Sequence, residues 1–471
     1  EVARPQGEHQ SSDHKDESAP VGYIDLLRRN RSFRRLWLGQ VVSQLGDWFN
    51  TIALYTLALK LSGSGKAVGL ILVARFLPSV ICGPLAGVIA DRFDRRRIMI
   101  VADLLRALVV LGFLLVRRPD QMPLLYALTV LQLALATFFD PAETAILPSL
   151  VAKRELIAAN AITSVTWSAM LTLGATVGGF VTGWFGTDAA FVIDSLTYLV
   201  SAALIATVRL PPRSIEAAER VSLDVRKPEK LTIGRALGIT DTMEGVAYVF
   251  AHRGVFALIL VKAAWGLGGG ILTLLAIFGE KIFPVGGRAA TGIGVLYAAR
   301  GIGTAIGPVA ARRFAGERPG RMHTAIGIAF FIGGFFYILF GQATNFGFAL
   351  FFLLVAHIGG SILWVFSTVL LQSTVEENFR GRVFAAELTL FTLAMAASNY
   401  LTGELLDRFN LSPRIIAIGI GIFFLLPGLL WFATRKWWNE ERRKPPDELN
   451  HADAQMAATD PPARPVTVST D

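Results

Sequence analysis

The stretch Gly83-Pro-Leu-Ala-Gly-Val-Ile-Ala-Asp-Arg-Phe-Asp-Arg-Arg-Arg97 closes an apolar run with one aspartate, a second at Asp94, and a cluster of arginines. An apolar run of about twenty residues spans a bilayer, whereas an arginine at the hydrocarbon centre costs roughly 2.5–3.5 kcal/mol. Arg92, Arg95, Arg96 and Arg97 therefore mark a boundary, and since another apolar run starts at Ile98, they occupy a tight turn between two membrane helices. Positively charged turns stay on the cytoplasmic side, so this turn orients the chain.

Composition agrees. Of 471 residues 53% are hydrophobic and 17% charged, and the mean hydropathy is +0.51, outside the range of an ordinary soluble domain. The net charge of +9 resides in short segments between apolar runs, which favours a topological role and contact with anionic lipid, and excludes a nucleic-acid partner. The single cysteine, Cys82, lies inside an apolar run and can form no internal disulfide. Residues 1–30 are polar with no secretory h-region, so the first span is expected to serve as its own insertion signal.

Twelve apolar runs fall between residues 36 and 434, which predicts an all-α membrane protein of twelve transmembrane helices in two six-helix bundles. The expected divisions are a disordered cytoplasmic tail over 1–32, a first bundle over 33–208, a cytoplasmic linker with an amphipathic helix over 209–253, a second bundle over 254–434, and a cytoplasmic tail over 435–471. Lysine and arginine in alternate connections divide about thirty against eight, which places both termini on the cytoplasmic side. A faint repeat joins the ends of runs four and ten, Ala145–Arg154 and Val369–Asn378, in the manner of transporters built from parallel halves.

No enzyme constellation is present. There is no metal-spaced His/Cys group, no nucleophile elbow and no phosphate-binding loop, so no cofactor is expected and any uphill transport must draw on an ion gradient. Ionisable and amide residues within the spans then become the informative ones. Run one carries Gln40, Gln44, Asp47 and Thr51 at helical spacing, with Asn50 adjacent, a stripe that suits a cavity wall better than lipid. Run four carries Thr129, Gln132, Asp140 and Glu143, and run ten His357, Ser361, Trp364, Thr368 and Gln372. Lys262, Arg300 and Glu387 add charges to the second half, each expected to face a cavity or an opposite charge. His357 reads almost equally as a hydrogen-bonded interhelical histidine and as a proton or substrate contact. Asp47, Asp140 and Glu387 are the candidate proton-coupling acids. Gln40, Gln44, Asn50, Gln132, Lys262, Arg300, His357 and Trp364 are the candidate cavity residues.

Gly87, Ile89, Ala90, Asp91, Arg92, Arg95 and Arg96 match, position by position, the helix 2–3 loop signature of the major facilitator superfamily, with Asp94 where that family usually has glycine. Ser43–Trp48, Phe138–Pro148 and Arg380–Phe384 resemble the twelve-helix drug:proton antiporter branch that includes bacterial enterobactin and macrolide exporters, over about residues 33–434. The resemblance implies a monomeric, proton-coupled exporter of amphipathic small molecules in the bacterial inner membrane, with protons, substrate and lipid as its partners. It also implies a gating loop of Gly87, Asp91, Arg92, Arg95, Arg96 and Glu143, in which Asp91 lies against the start of helix 11 and the arginines reach Asp140 and Glu143. Gly174–Gly179 resembles the exporters' helix 5 signature, with Met170 and Ala175 departing from it, and the arginine that many carry on helix 4 is replaced by Thr129. A lysophospholipid flippase is the alternative within transport, and a non-transporting sensor or scaffold is the alternative outside it.

Overall fold

In the computed structural model the described residues are 22–209, 247–315 and 318–434, without the side chains of Val80, Pro84, Asp91, Lys153, Ile157, Phe314, Ala315, Glu377 and Asn378. Residues 1–21 of the first expected tail, linker residues 210–246 with most of the amphipathic helix expected there, and the tail over 435–471 lie outside them, whereas Tyr23–Arg29, expected to belong to a disordered tail, is helical. The described residues are helical, with one isolated β-bridge between Val285 and Arg288.

Thirteen helices follow in order: α1 (Tyr23–Arg29), α2 (Arg31–Ser62), α3 (Gly65–Arg92), α4 (Arg95–Gly112), α5 (Met122–Leu150), α6 (Leu156–Ala206), α7 (Arg253–Leu267), α8 (Ile271–Ile277), α9 (Ala289–Ala315), α10 (Pro319–Gln342), α11 (Phe346–Thr374), α12 (Glu377–Asp407) and α13 (Pro413–Ala433). At 1.5 Å per residue the 51 residues of α6 would extend roughly 75 Å, far beyond a hydrocarbon core of about 30 Å. The helix turns instead at Gly186, where φ is 87° and ψ 171°, a conformation closed to other residues. Among the described residues ten helical segments are long and apolar enough to cross a membrane. Counting α6 as two legs and adding the more polar α2 makes twelve, compatible with the sequence expectation.

Short polar residues set the helix ends. Asn30 accepts from the Phe33 amide to start α2, which stops at Gly63 in the left-handed region, φ 64°. Ser64 then caps α3 through the Ala67 amide. Asp94, the departure from the family loop, caps α4 by accepting from the amides of Arg96 at 2.9 Å and Arg97 at 3.2 Å. Pro319 and Pro413 open α10 and α13 at the position where a missing N–H costs nothing.

Two compact units result, one of residues 1–231 with 275–301, the other of 232–274 with 302–471. Residues 275–301, placed in the second bundle by chain order, thus pack with the first unit. In that unit α2 runs between the two legs of α6. A Cβ on Gly46 would lie 2.0 Å from Thr197 Oγ1 on the second leg, and one on Gly174 of the first leg would lie 2.8 Å from Trp48 Cδ1. In the other unit α10 and α13 cross at Gly334 and Gly421, where each added Cβ would meet the opposite carbonyl oxygen at 2.5–2.6 Å. Large apolar side chains such as Leu108, Phe185, Val309 and Leu429 remain well exposed on the helix flanks, a surface suited to hydrocarbon and unsuited to water.

Candidate functional site

The polar stripe of α2 meets charge from its neighbours midway along the first unit. Asp103 and Arg106, three residues apart on α4, share one face. Arg106 Nη2 lies 2.8 Å from Asp47 Oδ1, and its Nη1 3.5 Å from Asp103 Oδ1. The second leg of α6 contributes Tyr198, whose hydroxyl donates to Asp47 Oδ1 while its ring lies under the guanidinium at 4.1 Å. Asp194, one turn before Tyr198, is fully buried and accepts from Thr197. From α5, Gln132 donates to the Tyr198 hydroxyl at 3.1 Å and accepts from Asn50 at 2.7 Å. From α3, Arg75 donates to Thr51 Oγ1 at 3.1 Å. Asp47, Asp103 and one buried guanidinium are thereby interlocked, with Asp194 buried on the same leg of α6 as Tyr198.

A cleft opens on this network, lined by Asp47, Asn50, Thr51, Tyr55, Arg75, Thr129 and Gln132 among others. Asp103 and Arg106 are shielded, whereas the Asp47 side chain keeps 33% of its surface accessible. Asp47 thus touches both the ion cluster and the cleft. The stripe expected from the sequence, with Asp47, Asn50 and Gln132, is assembled here. Gln40 is buried and receives a hydrogen bond on its carbonyl from Ser43 at 3.3 Å, and Gln44 Oε1 has no hydrogen-bond partner among the described residues. Arg300 also falls in this unit, its guanidinium 5.9 Å from the ring centre of Tyr297, which in turn packs on Trp48 and Tyr55.

In the second unit Lys262 on α7 and Glu387 on α12 form an ion pair of 2.9 Å with side chains 5% and 3% exposed. The ammonium lies 4.5 Å from the ring centre of Trp364 and 5.8 Å from that of Phe384. His357 is buried. Its Nδ1 lies 3.0 Å from the Leu353 carbonyl and its Nε2 3.4 Å from the Tyr337 hydroxyl, with Trp265 edge-on, the arrangement of an interhelical histidine.

The loop arginines depart from expectation. Arg95 donates to the Ala145 carbonyl at 2.7 Å, and Arg96 to the carbonyls of Ile205, at 3.2 Å, and Ala206, in place of the carboxylates of Asp140 and Glu143. The physical reason lies in the helix ends. Ile205 and Ala206 close α6, where carbonyls lack intrahelical donors and the helix dipole is negative. Asp140 is exposed and Glu143 half-buried on α5. Arg92 is exposed, Gly87 has open space where a Cβ would stand, and the Asp91 side chain lies outside the described residues.

Sequence reasoning missed Arg106, Asp103, Asp194, Tyr198 and Arg75. The signal was present, since Asp103 and Arg106 interrupt the apolar run 98–116 at helical spacing. The arginine missing from Thr129 has a counterpart in Arg106, supplied by the neighbouring helix.

Comparison with known proteins bears on this architecture. The profile of the Major Facilitator Superfamily matches residues 36–387. The uncharacterized MFS-type transporter YkuC of Bacillus subtilis is 24% identical over 433 residues, covering 87% of this chain and 93% of the relative. Macrolide efflux protein A of Streptococcus pyogenes is 25% identical over 403 residues, covering 84% and 93%. Among solved structures, a bacterial homologue of the human lysosomal transporter Spinster superposes with a TM-score of 0.69 at 16% identity, covering 89% of this chain and 99% of that one, a likeness of fold.

Proposed function

The chain belongs to the Major Facilitator Superfamily, and on that premise we propose that this multi-pass membrane transporter is a proton-coupled exporter of amphipathic small molecules, working by alternating access. The single observation that carries the reading is the position of Asp47. Its carboxylate is held by Arg106 and Tyr198 and at the same time faces a cleft lined by polar side chains.

Protonation of Asp47 removes the charge that holds Arg106, which then turns toward Asp103, 3.5 Å away. Since Arg106 on α4 and Tyr198 on α6 bond this carboxylate, and Gln132 on α5 bonds the Tyr198 hydroxyl, one proton changes contacts among four helices. One elementary charge crossing 100 mV yields about 2.3 kcal/mol, a bias of about fiftyfold between two states. The efflux activity named for the streptococcal relative supports the outward direction. The basic loops support cytoplasmic placement of both termini, and the proposal takes the protein as a monomer of the bacterial inner membrane with lipid, small-molecule substrate and protons as its partners.

Accumulation of a fluorescent amphipathic dye in cells tests the reading. Expression of the wild type lowers accumulation, a protonophore restores it, and Asp47→Asn abolishes at least nine-tenths of the export at unchanged membrane level, because the amide keeps the shape but not the titratable charge. Export by Asp47→Asn at the wild-type rate and with full protonophore sensitivity contradicts the assignment and directs attention to Asp140 and Glu387.

A further inference from the structure

The pair Lys262–Glu387 has more around it than an internal ion pair needs. Its members are buried, yet Glu387 uses only Oε2, at 2.9 Å from the ammonium, while Oε1 is buried with no hydrogen-bond partner. A buried carboxylate oxygen without a hydrogen-bond partner among the described residues is costly, and a pair kept only for stability would satisfy both oxygens. The other faces of the ammonium are aromatic. Trp364 lies 4.5 Å away and Phe384 5.8 Å, and Phe391 stands edge-on to Trp364 at 5.1 Å. A carboxylate among aromatic faces is the chemistry that receives organic ammonium ions. Trp364 keeps 38% of its surface exposed, so one flank of this box is open.

We propose that Glu387, Trp364 and Phe384 form a binding site for the cationic head of an organic ammonium substrate, and that Lys262 occupies it in the free protein as a tethered stand-in. The proposal rests on the exporter reading and names a substrate class for it, amphiphiles carrying a fixed or protonated amine. An incoming cation displaces the lysine ammonium, takes its place over Trp364 and presents its substituents to the unpaired Oε1. Displacement keeps one positive charge beside Glu387, so the carboxylate is never left buried alone. The displaced ammonium must reach water or another acceptor, so binding carries that cost as well as the ordering of the ligand. Neutral substrates lack the exchange and leave the pair intact.

The test is isothermal titration of the purified full-length protein with benzyltrimethylammonium, a quaternary cation with no proton to lose. Wild type binds it weakly, in competition with its own lysine. Lys262→Met, which keeps the stem and removes the ammonium, binds at least tenfold more tightly, Trp364→Leu at least fivefold more weakly than wild type, and Glu387→Gln at least tenfold more weakly. If Lys262→Met does not fold, the neutral double variant Lys262→Met/Glu387→Gln replaces it, and is expected to fold and to bind at least tenfold more weakly than wild type. Equal affinity in wild type and Lys262→Met, or wild-type affinity in either variant lacking Glu387, overturns the proposal. Binding at equilibrium needs no gradient, which separates the two readings. Protonophore-sensitive dye export without the predicted order of cation affinities sinks this site alone, and the predicted order without any export sinks the exporter reading alone.

Discussion

Arg106 shows why a single guanidinium in a membrane bundle is both a hazard and a tool. It is 5% exposed and pairs with Asp47 while Asp103, fully buried, waits at the other side of its fork. Truncating it to leucine leaves two carboxyl groups without their cation, a loss on the order of 3–5 kcal/mol for breaking a buried pair. Arg106→Leu is therefore expected to melt well below the wild type when thermal unfolding of the purified protein is followed by light scattering, and Asp47→Asn in the same chain to recover part of the loss. A wild-type melting point for Arg106→Leu would mean that the pair carries no stability. At this scale the sequence was half legible. The stripe Gln40, Gln44, Asp47 and Thr51 repeats at helical spacing, so its shared face could be read from periodicity. Which charge answers Asp47 could not, because that depends on which helix stands beside α2 and how each is rotated. Nothing in chain order singles out a partner for it, and the three-dimensional neighbours are Arg106 and Tyr198. Likewise Lys262 and Glu387 were each legible as buried charges, but 125 residues separate them and only packing makes them a pair.

Among the helices, glycines separate close packing from open surface. Gly46 permits α2 to lie against the second leg of α6, where any Cβ would fall 2.0 Å from Thr197 Oγ1 and 2.4 Å from Asp194 Oδ1. Gly46→Val is expected to abolish the folded species in fluorescence-detected size exclusion. Gly87→Ala, with nothing within 4 Å of the added methyl, leaves the folded peak unchanged. Equal folded yield from both variants would contradict the packing assigned to α2. The break between the fifth and sixth apolar runs was readable near Thr187 and falls at Gly186. The interruption between α7 and α8 was not. The helix breaks at Gly268, Gly269 and Gly270, with the Ser398 hydroxyl donating to the Leu267 carbonyl at 2.6 Å and accepting from the Gly270 amide at 2.9 Å. A polar residue on a partner helix that satisfies freed backbone groups leaves no periodic trace in the broken helix itself.

For the molecule as a whole, the hydropathy pattern and the arginine turn at 92–97 carried the fold class, since bilayer thickness and charge placement are read directly from composition along the chain. Orientation follows from the same arginines. With Cys82 replaced by serine, single cysteines at Lys66, Asp188 or Thr344 are expected to react with an impermeant maleimide on intact cells, and cysteines at Arg95 or Arg318 only after lysis. Labelling of both sets on intact cells would refute the twelve-span topology. The central claim, that substrate movement is tied to proton movement through Asp47, is tested most directly by counting protons. Purified protein is reconstituted in liposomes enclosing a pH-sensitive dye, and a gradient of a transported amphiphile is imposed with no initial pH difference. The account predicts that the wild type moves protons against the flow of substrate, whereas Asp47→Asn exchanges substrate across the membrane without changing the internal pH. Proton movement by Asp47→Asn in step with substrate, as in the wild type, would contradict it.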